Sequence, residues 1–321
     1  MNVGAYAVAS DTGRRRRRNE DNFVAAPPLF AVADGMGGAQ AGEVASRLAA
    51  SALEGGVDAA LHGVERVAAL IQEANRRVYE RASNDPAASG MGTTMTVALV
   101  ENGVVAIGHV GDSRAYLVRG GRMEQLTDDH SLVNELLKSG RLSPQEAEVH
   151  PQRSVITRAV GTDPEVEVDA FTIDTQEGDV FLLCSDGLTD MVGDVDILEL
   201  VERNRDDLDR AVRSLVAAAN RVGGEDNITA VAFRIADSPG EQTATLPVVS
   251  EPEEETVEAA APPPRNDTMV IPPGQLEQQL GAGEEAGPGR PEGRRHRVRL
   301  VLAALVILAV AAVLLVWGLG R

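Results

Sequence analysis

The sequence predicts an α+β fold in which β-sheets pack on one another and helices lie outside them. Branched aliphatic residues concentrate in strand-length runs at 29–33, 94–100, 104–110, 115–118, 166–173, 180–184 and 228–235. Segments 42–53, 64–82, 131–139, 195–202 and 207–222 instead repeat apolar residues at helical spacing along one face. Aromatic residues are only 3% of the chain, so the core must be built from Ala, Val, Leu and Ile.

Residues 1–10 alternate small and apolar side chains and read as the first strand, with no basic stretch and apolar run to mark a leader. The strand and helix signals continue to residue 236, and 1–236 reads as one domain. From residue 237 Pro, Glu, Gly and Ala dominate, as in Glu251-Pro252-Glu253-Glu254-Glu255 and Ala261-Pro262-Pro263-Pro264. Residues 237–299 therefore read as a disordered acidic linker with a basic end. A flexible chain of ~60 residues has an r.m.s. span of about 45 Å. Residues 300–319 carry no charge and would form roughly 30 Å of helix, the thickness of a bilayer's hydrocarbon core, with Trp317 at the far interface. Arg290, Arg294, Arg295, Arg297 and Arg299 precede this transmembrane helix and only Arg321 follows it. By the positive-inside rule the N-terminal domain is expected in the cytoplasm.

Charge is unevenly divided. Residues 1–236 carry 23 basic against 37 acidic side chains, residues 237–289 carry 1 against 11, and residues 290–321 carry 6 against 1. An acidic domain argues against nucleic acid as the main partner and suits one that collects cations. The lone cysteine, Cys184, lies in the apolar run Phe181-Leu182-Leu183-Cys184, so no intrachain disulfide is possible. A cysteine-based phosphatase is excluded, because its loop needs an arginine six residues after the nucleophile and Asp190 stands there.

The acids fall in a pattern. Asp34-Gly35 ends Leu-Phe-Ala-Val-Ala, Asp112 follows Val-Gly, Asp186-Gly187 ends Phe-Leu-Leu-Cys-Ser, and Asp226-Asn227 precedes Ile-Thr-Ala-Val-Ala. One Asp-Gly is ordinarily a turn. Four acids at the edges of apolar strands are another matter: converging carboxylates repel, and shared hard divalent cations relieve that repulsion. Glycine after Asp34 would let a main-chain carbonyl approach a metal. Without a His or Cys cluster at zinc spacing, Mg or Mn suits the site better than Zn. Two such ions ~3.5–4 Å apart can lower the pKa of a shared water and clamp a phosphoryl group for in-line attack, which points to phosphate-ester hydrolysis.

The strings Arg16-Arg17-Arg18-Asn19-Glu20-Asp21-Asn22, Ala33-Asp34-Gly35-Met36-Gly37-Gly38, Gly92-Thr93-Thr94, Val110-Gly111-Asp112-Ser113-Arg114, Leu126-Thr127-Asp128-Asp129-His130, His150-Pro151-Gln152-Arg153, Leu183-Cys184-Ser185-Asp186-Gly187-Leu188 and Gly224-Glu225-Asp226-Asn227-Ile228-Thr229 occur in that order. Together they resemble the bacterial type 2C protein phosphatases of the metal-dependent PPM class. The resemblance implies a four-layer αββα sandwich, two packed antiparallel sheets flanked by helices, with two or three Mn or Mg ions in a cleft at one end. By matched position it implies that Asp34 bridges two metals, the Gly35 carbonyl binds one, and Asp186 and Asp226 bind the other. Glu20 and Asp21 would act through water, and Asp112 with Asp186 would form a third-metal site. Arg16, five residues before Asp21, would pair with substrate phosphate, since a guanidinium fork suits phosphate geometry. The other four arginines of the run read as a solvated basic loop or a nonspecific anion patch.

Many eukaryotic members carry His after the Asp-Gly, and this chain has Met36. No general acid is assigned, and His109 and His130 read as structural or flap residues. Residues 127–169 match the mobile flap beside the cleft. Thr245 and Thr268 could accept phosphate in the linker, although plain linker is the simpler reading. The implied function is hydrolysis of phosphoserine and phosphothreonine in proteins, opposing a bacterial Ser/Thr kinase at the membrane. The alternatives are a phosphatase of anti-sigma-factor antagonists and a non-catalytic phosphoprotein-binding domain at the membrane. The first usually has sensory domains ahead of it, and the second would normally have lost metal ligands.

Overall fold

Alternation along the strands decides the architecture. On β12 (Ile228–Ala236), Ile228, Ala230 and Ala232 belong to one buried cluster, whereas Val231, Phe233 and Ile235 belong to another. A strand with two apolar faces must be covered on both sides, by a sheet and by helices. β3 (Leu29–Met36) divides in the same way, with Phe30 and Val32 facing the cluster that holds Phe233, and Ala31 and Ala33 turned away from it.

The computed structural model describes residues 1–37, 41–55, 57–58, 60–237, 244–245 and 269–270, all within one compact unit, Met1–Pro273. The first sheet has the order β13 (Ala244–Thr245), β1 (Asn2–Asp11), β12, β11 (Val180–Cys184), β7 (Arg114–Arg119), β8 (Arg122–Gln125), antiparallel except where β13 joins β1. The second is antiparallel, in the order β10 (Asp169–Asp174), β6 (Val104–Val110), β5 (Met95–Glu101), β3, β2 (Asp21–Ala26), with β4 (Gly92–Thr93) paired to the end of β3. Between the sheets Phe233 stacks on Phe30 at 4.3 Å and on Phe181 at 5.1 Å. α1 (Ala41–Gly55) and α2 (Gly63–Asn84) cover the outer face of the second sheet through Ala45, Ala49, Val67, Leu70 and Ile71. α6 (Asp194–Arg203) and α7 (Leu208–Val222) cover the first through Ile197, Val201, Val212 and Leu215. The expected four layers are therefore present.

The flap contains α3 (Leu132–Lys138), α4 (Pro144–Glu148) and β9 (Val155–Ile156), to which β14 (Met269–Val270) pairs in parallel. Ser131 and Ser143 cap the two helices, accepting from the backbone N–H of Asn134 and Glu146.

Three sequence expectations change. The strand expected at 166–173 begins at Asp169, because the chain ahead of it is held by α2: Gln72 donates to the Val166 carbonyl at 2.5 Å and Asn75 to that of Pro164 at 3.2 Å. Asp34 lies inside β3 rather than at its edge, since β2, which lacks a strong apolar run, pairs Asp21 opposite it. The segment read as disordered linker contains β13 and β14, the first of which adds two residues to the edge of β1. The rest of 237–299 after Asp237, including Thr268, and the expected transmembrane helix at 300–319 lie outside the described residues. Among the described residues no helix is long and apolar enough to cross a membrane.

Phe233→Ala removes the ring on which Phe30 and Phe181 stack, and is expected to cost about 3–5 kcal/mol, read as a lower urea midpoint with an unchanged slope.

Candidate active site

The acids gather where the two sheets end together. Asp186 opens α5 (Asp186–Thr189), two residues beyond β11, and Asp226 lies two residues before β12 on the neighbouring strand of the first sheet. Asp21 and Asp34 are cross-strand partners on β2 and β3 of the second. Asp112 follows β6 and is 8% exposed.

Their protonation records that crowding. Burial, and then the charges of Asp21, Asp186, Asp226 and Asp112, push the Asp34 carboxyl well above the usual carboxylate range. Asp186 is raised in the same way by burial and by Asp112, Asp226, Asp190 and Asp21. Burial lifts Glu20 to about 7 despite the opposing Arg16 charge, Asp112 to about 7, and Asp21 to about 6 against hydrogen bonds from Thr229 and Ser185.

Neutral side chains hold these acids in place. Thr94 Oγ1 accepts from the Asp34 N–H at 2.9 Å, while the Thr94 N–H and the Thr93 hydroxyl both donate to the Asp34 carbonyl at 2.8 Å. Ser185 donates to Asp21 Oδ2 at 2.8 Å and accepts from the Thr229 N–H, and the Thr229 hydroxyl meets Ser10 at 2.8 Å. Asn227 accepts from the Glu20 N–H at 2.7 Å and donates to the carbonyls of Thr12 and Arg18, each at 2.9 Å. Apart from Ser10, these anchors sit in the strings that carry the family resemblance, yet residue type alone gives no reason to single them out.

Gly35 also meets a steric requirement that its sequence context does not show. A Cβ there would strike the Gly42 carbonyl oxygen and lie 2.6 Å from the carbonyl of Glu20, so β3, α1 and the Glu20 backbone can meet only at glycine. Arg16 Nη2 donates to Asp226 Oδ2 at 2.7 Å, which puts the guanidinium beside the acids. A cleft of about 680 Å³ leads away between Asp112, Asp186 and Asp190 on one side and the flap residues Arg153 and Ser154 on another. Asp190, absent from the sequence candidates, thus joins the cleft wall one turn after Asp186.

The remaining candidates are structural. Met36 is buried with Ile156 and Ala159 of the flap, an apolar anchor rather than a proton donor. His109 is buried, donates through Nε2 to the Asp128 carbonyl at 3.1 Å, and is pushed down to about 3, mainly by burial. His130 accepts from the Gly111 N–H at Nδ1, which leaves Nε2 to donate to Asp169 at 3.2 Å. Cys184 is buried, its thiol pushed up to about 12 by desolvation.

Divalent cations fit this chemistry. Asp21 Oδ1 and Asp186 Oδ1 are buried with no hydrogen-bond partner among the described residues, which leaves two acceptors for a cation or its water. Among the described residues no three His, Cys, Asp or Glu side chains already close into a metal shell, so main-chain oxygen and water would have to complete it. Mg and Mn accept such shells.

The sequence model of the family described as Protein phosphatase 2C matches residues 14–231. The chain belongs to the protein phosphatase 2C family. Its motif resemblance and its expected enzyme class, a phosphoric monoester hydrolase acting on proteins, both stand. The serine/threonine phosphatase stp of Listeria innocua is 41% identical over 231 residues, covering 68% of this chain and 91% of that protein. The crystal structure of the Mycobacterium tuberculosis serine/threonine phosphatase PstP/Ppp has a TM-score of 0.69 at 38% identity, covering 74% of this chain and all of that one. A PstP catalytic domain solved in complex with two manganese ions has a TM-score of 0.67 at the same identity and coverage of this chain.

The folded protein holds Glu20, Asp21 and Asp112 at about 6 to 7, above the unfolded values of 4.5 or 3.8. It binds more protons than the unfolded chain in that interval, so stability falls as pH rises through it. Metal-free protein is expected to be more stable at pH 6 than at pH 8. Asp34→Asn, which removes a carboxyl crowded by the other acids, should raise the stability of the metal-free protein at pH 8. Urea unfolding checks both; wild type no less stable at pH 8 than at pH 6 contradicts the crowding.

Proposed function

We propose that this protein is a serine/threonine phosphoprotein phosphatase that hydrolyses phosphoserine and phosphothreonine with the help of Mn or Mg. The observation that carries the reading is the convergence of Asp21, Asp34, Asp112, Asp186 and Asp226, each on a separate segment, at one end of the sandwich. Asp34, the Gly35 carbonyl, Asp186 and Asp226 would hold two ions. Glu20 and Asp21 would hold ligand waters, and Asp112 with Asp186 a third ion. When bound, the ions would supply Lewis acidity, making water more acidic and neutralising phosphoryl charge.

The rest falls to the chain itself. Arg16 binds the substrate phosphate with its guanidinium fork, and Asp226, its partner at 2.7 Å, fixes where that fork sits. The Thr93 and Thr94 contacts keep the Asp34 backbone from shifting as substrate enters. The flap, tied to the domain by the Thr93–Val160 bridge and by Met36 against Ile156, forms one wall for the substrate protein. His109 and His130, both committed to internal hydrogen bonds, leave the leaving-group proton to solvent.

Residues 1–236 are the phosphatase domain, 237–299 the linker and 300–319 a single membrane span, which places the domain on the cytoplasmic side within reach of a membrane Ser/Thr kinase and its substrates. The charge-free span and the arginines before it support this.

Mn-dependent hydrolysis of p-nitrophenyl phosphate and of a phosphothreonine peptide is expected, with Asp34→Ala and Asp186→Ala each losing about 10²-fold or more. Equal rates in all three proteins would contradict the assignment. Cell fractionation should place the intact chain in membranes and a chain cut at Arg290 in the soluble fraction; two soluble proteins would remove the anchor.

A further inference from the structure

The loop between β1 and β2 carries five consecutive arginines, Arg14 to Arg18, in a chain of net charge −19. Arg16 alone has an assigned partner in the reaction. The loop is firmly clamped: the Gly13 N–H donates to Asp11 Oδ1 at 2.8 Å, the Arg14 N–H to the Gly224 carbonyl at 2.7 Å, and Asn227 to the carbonyls of Thr12 and Arg18 at the two ends. Gly13 has φ +76, and a Cβ there would lie 2.8 Å from the Gly224 carbonyl oxygen, so the tight entry demands glycine. Asn227 therefore fixes the arginine loop from the residue next to Asp226.

That clamp sorts the side chains. Arg16 is half-buried and turns to Asp226, whereas Arg15 and Arg17 on either side of it are exposed. Neither has an ion pair with a described residue, whereas Arg76, Arg203 and Arg213 on the helix surfaces pair with nearby carboxylates. Arg122, Arg210 and Arg221 are also exposed without such a pair, so what distinguishes Arg15 and Arg17 is their place on the clamped loop beside Arg16. Two uncommitted guanidiniums on a held loop, one residue to each side of the phosphate-binding one, form a ready receptor for anions. Neighbouring residues of an extended substrate are spaced ~3.4 Å apart, so groups a few residues from the phosphorylated one fall within range of such long side chains.

We propose that Arg15 and Arg17 determine substrate specificity by binding a second anionic group, a carboxylate or another phosphate, close to the phosphoserine or phosphothreonine being hydrolysed. This rests on the phosphatase reading and names the class of phosphoprotein it acts on: sites in acidic or multiply phosphorylated segments.

The test measures kcat and KM of the full chain in detergent with Mn, on three phosphothreonine peptides flanked by glutamines, by glutamates, or by one further phosphothreonine, for wild type and for Arg15→Gln with Arg17→Gln. Wild type should favour an anionic peptide over the neutral one about tenfold in kcat/KM at low salt, and lose that preference near 0.5 M salt. The double variant should bring the ratio close to one through KM, with kcat little changed. Preference for both anionic peptides means that carboxylates suffice, and preference for the doubly phosphorylated one alone identifies phosphate; either supports the proposal. A wild-type ratio near one, or the same ratio in both proteins, overturns it. So does a ratio near one with inhibition by phosphatidylserine vesicles that the double variant escapes, since the arginines then serve a membrane surface. Hydrolysis of p-nitrophenyl phosphate separates the two claims. If it persists while the ratio is one, only the specificity proposal falls; if no protein hydrolyses any substrate, the phosphatase reading falls and the proposal with it.

Discussion

Carboxylates brought together away from bulk water repel one another and lose their hydration, and the open end of this sandwich is organised around that cost. The two sheets end together there, delivering Asp21 and Asp34 from one and Asp186 and Asp226 from the other. A single sheet would spread these acids along one edge. The stacked phenylalanines Phe30, Phe181 and Phe233 hold the sheets in register, so core packing and site geometry depend on each other.

Around the acids runs a shell of small polar residues whose hydrogen bonds go to backbone, to one another and to Asp21. Thr93 and Thr94 fix β3 at Asp34, Ser185 and Thr229 join the sheets beneath Asp21, and Asn227 couples Glu20 to the arginine loop. Such a network gives up conformational freedom in return for acids that stay in place under mutual repulsion. Function here works against stability, as a site prepared for cations must when its cations are absent.

Much of this was legible in the sequence. Strands 104–110 and 180–184 are recovered to the residue because their apolar runs stop abruptly, the first between Gly103 and Gly111 and the second between Asp179 and Ser185-Asp186, and the strand-end acids point to an oxygen-ligated site before any family is considered. Other features left no local signal. β2 pairs through its backbone and has too short an apolar run to read as a strand. The shift of β10 to Asp169 depends on Gln72 and Asn75, about ninety residues away in sequence. The roles of Ser185 and Asn227 exist only in contacts between distant strands, and Met36, conspicuous by its position, proves to be a packing residue of the flap.

The central claim is that these acids form one cation site rather than a set of independent turns. Equilibrium binding of Mn to the full chain, with Asp34→Ala beside it, tests this most directly. About two ions or more should be retained per wild-type chain, with most of that binding lost in the variant, because Asp34 lies among all the other acids. Wild type and variant retaining the same number of ions, or wild type retaining none, would contradict it.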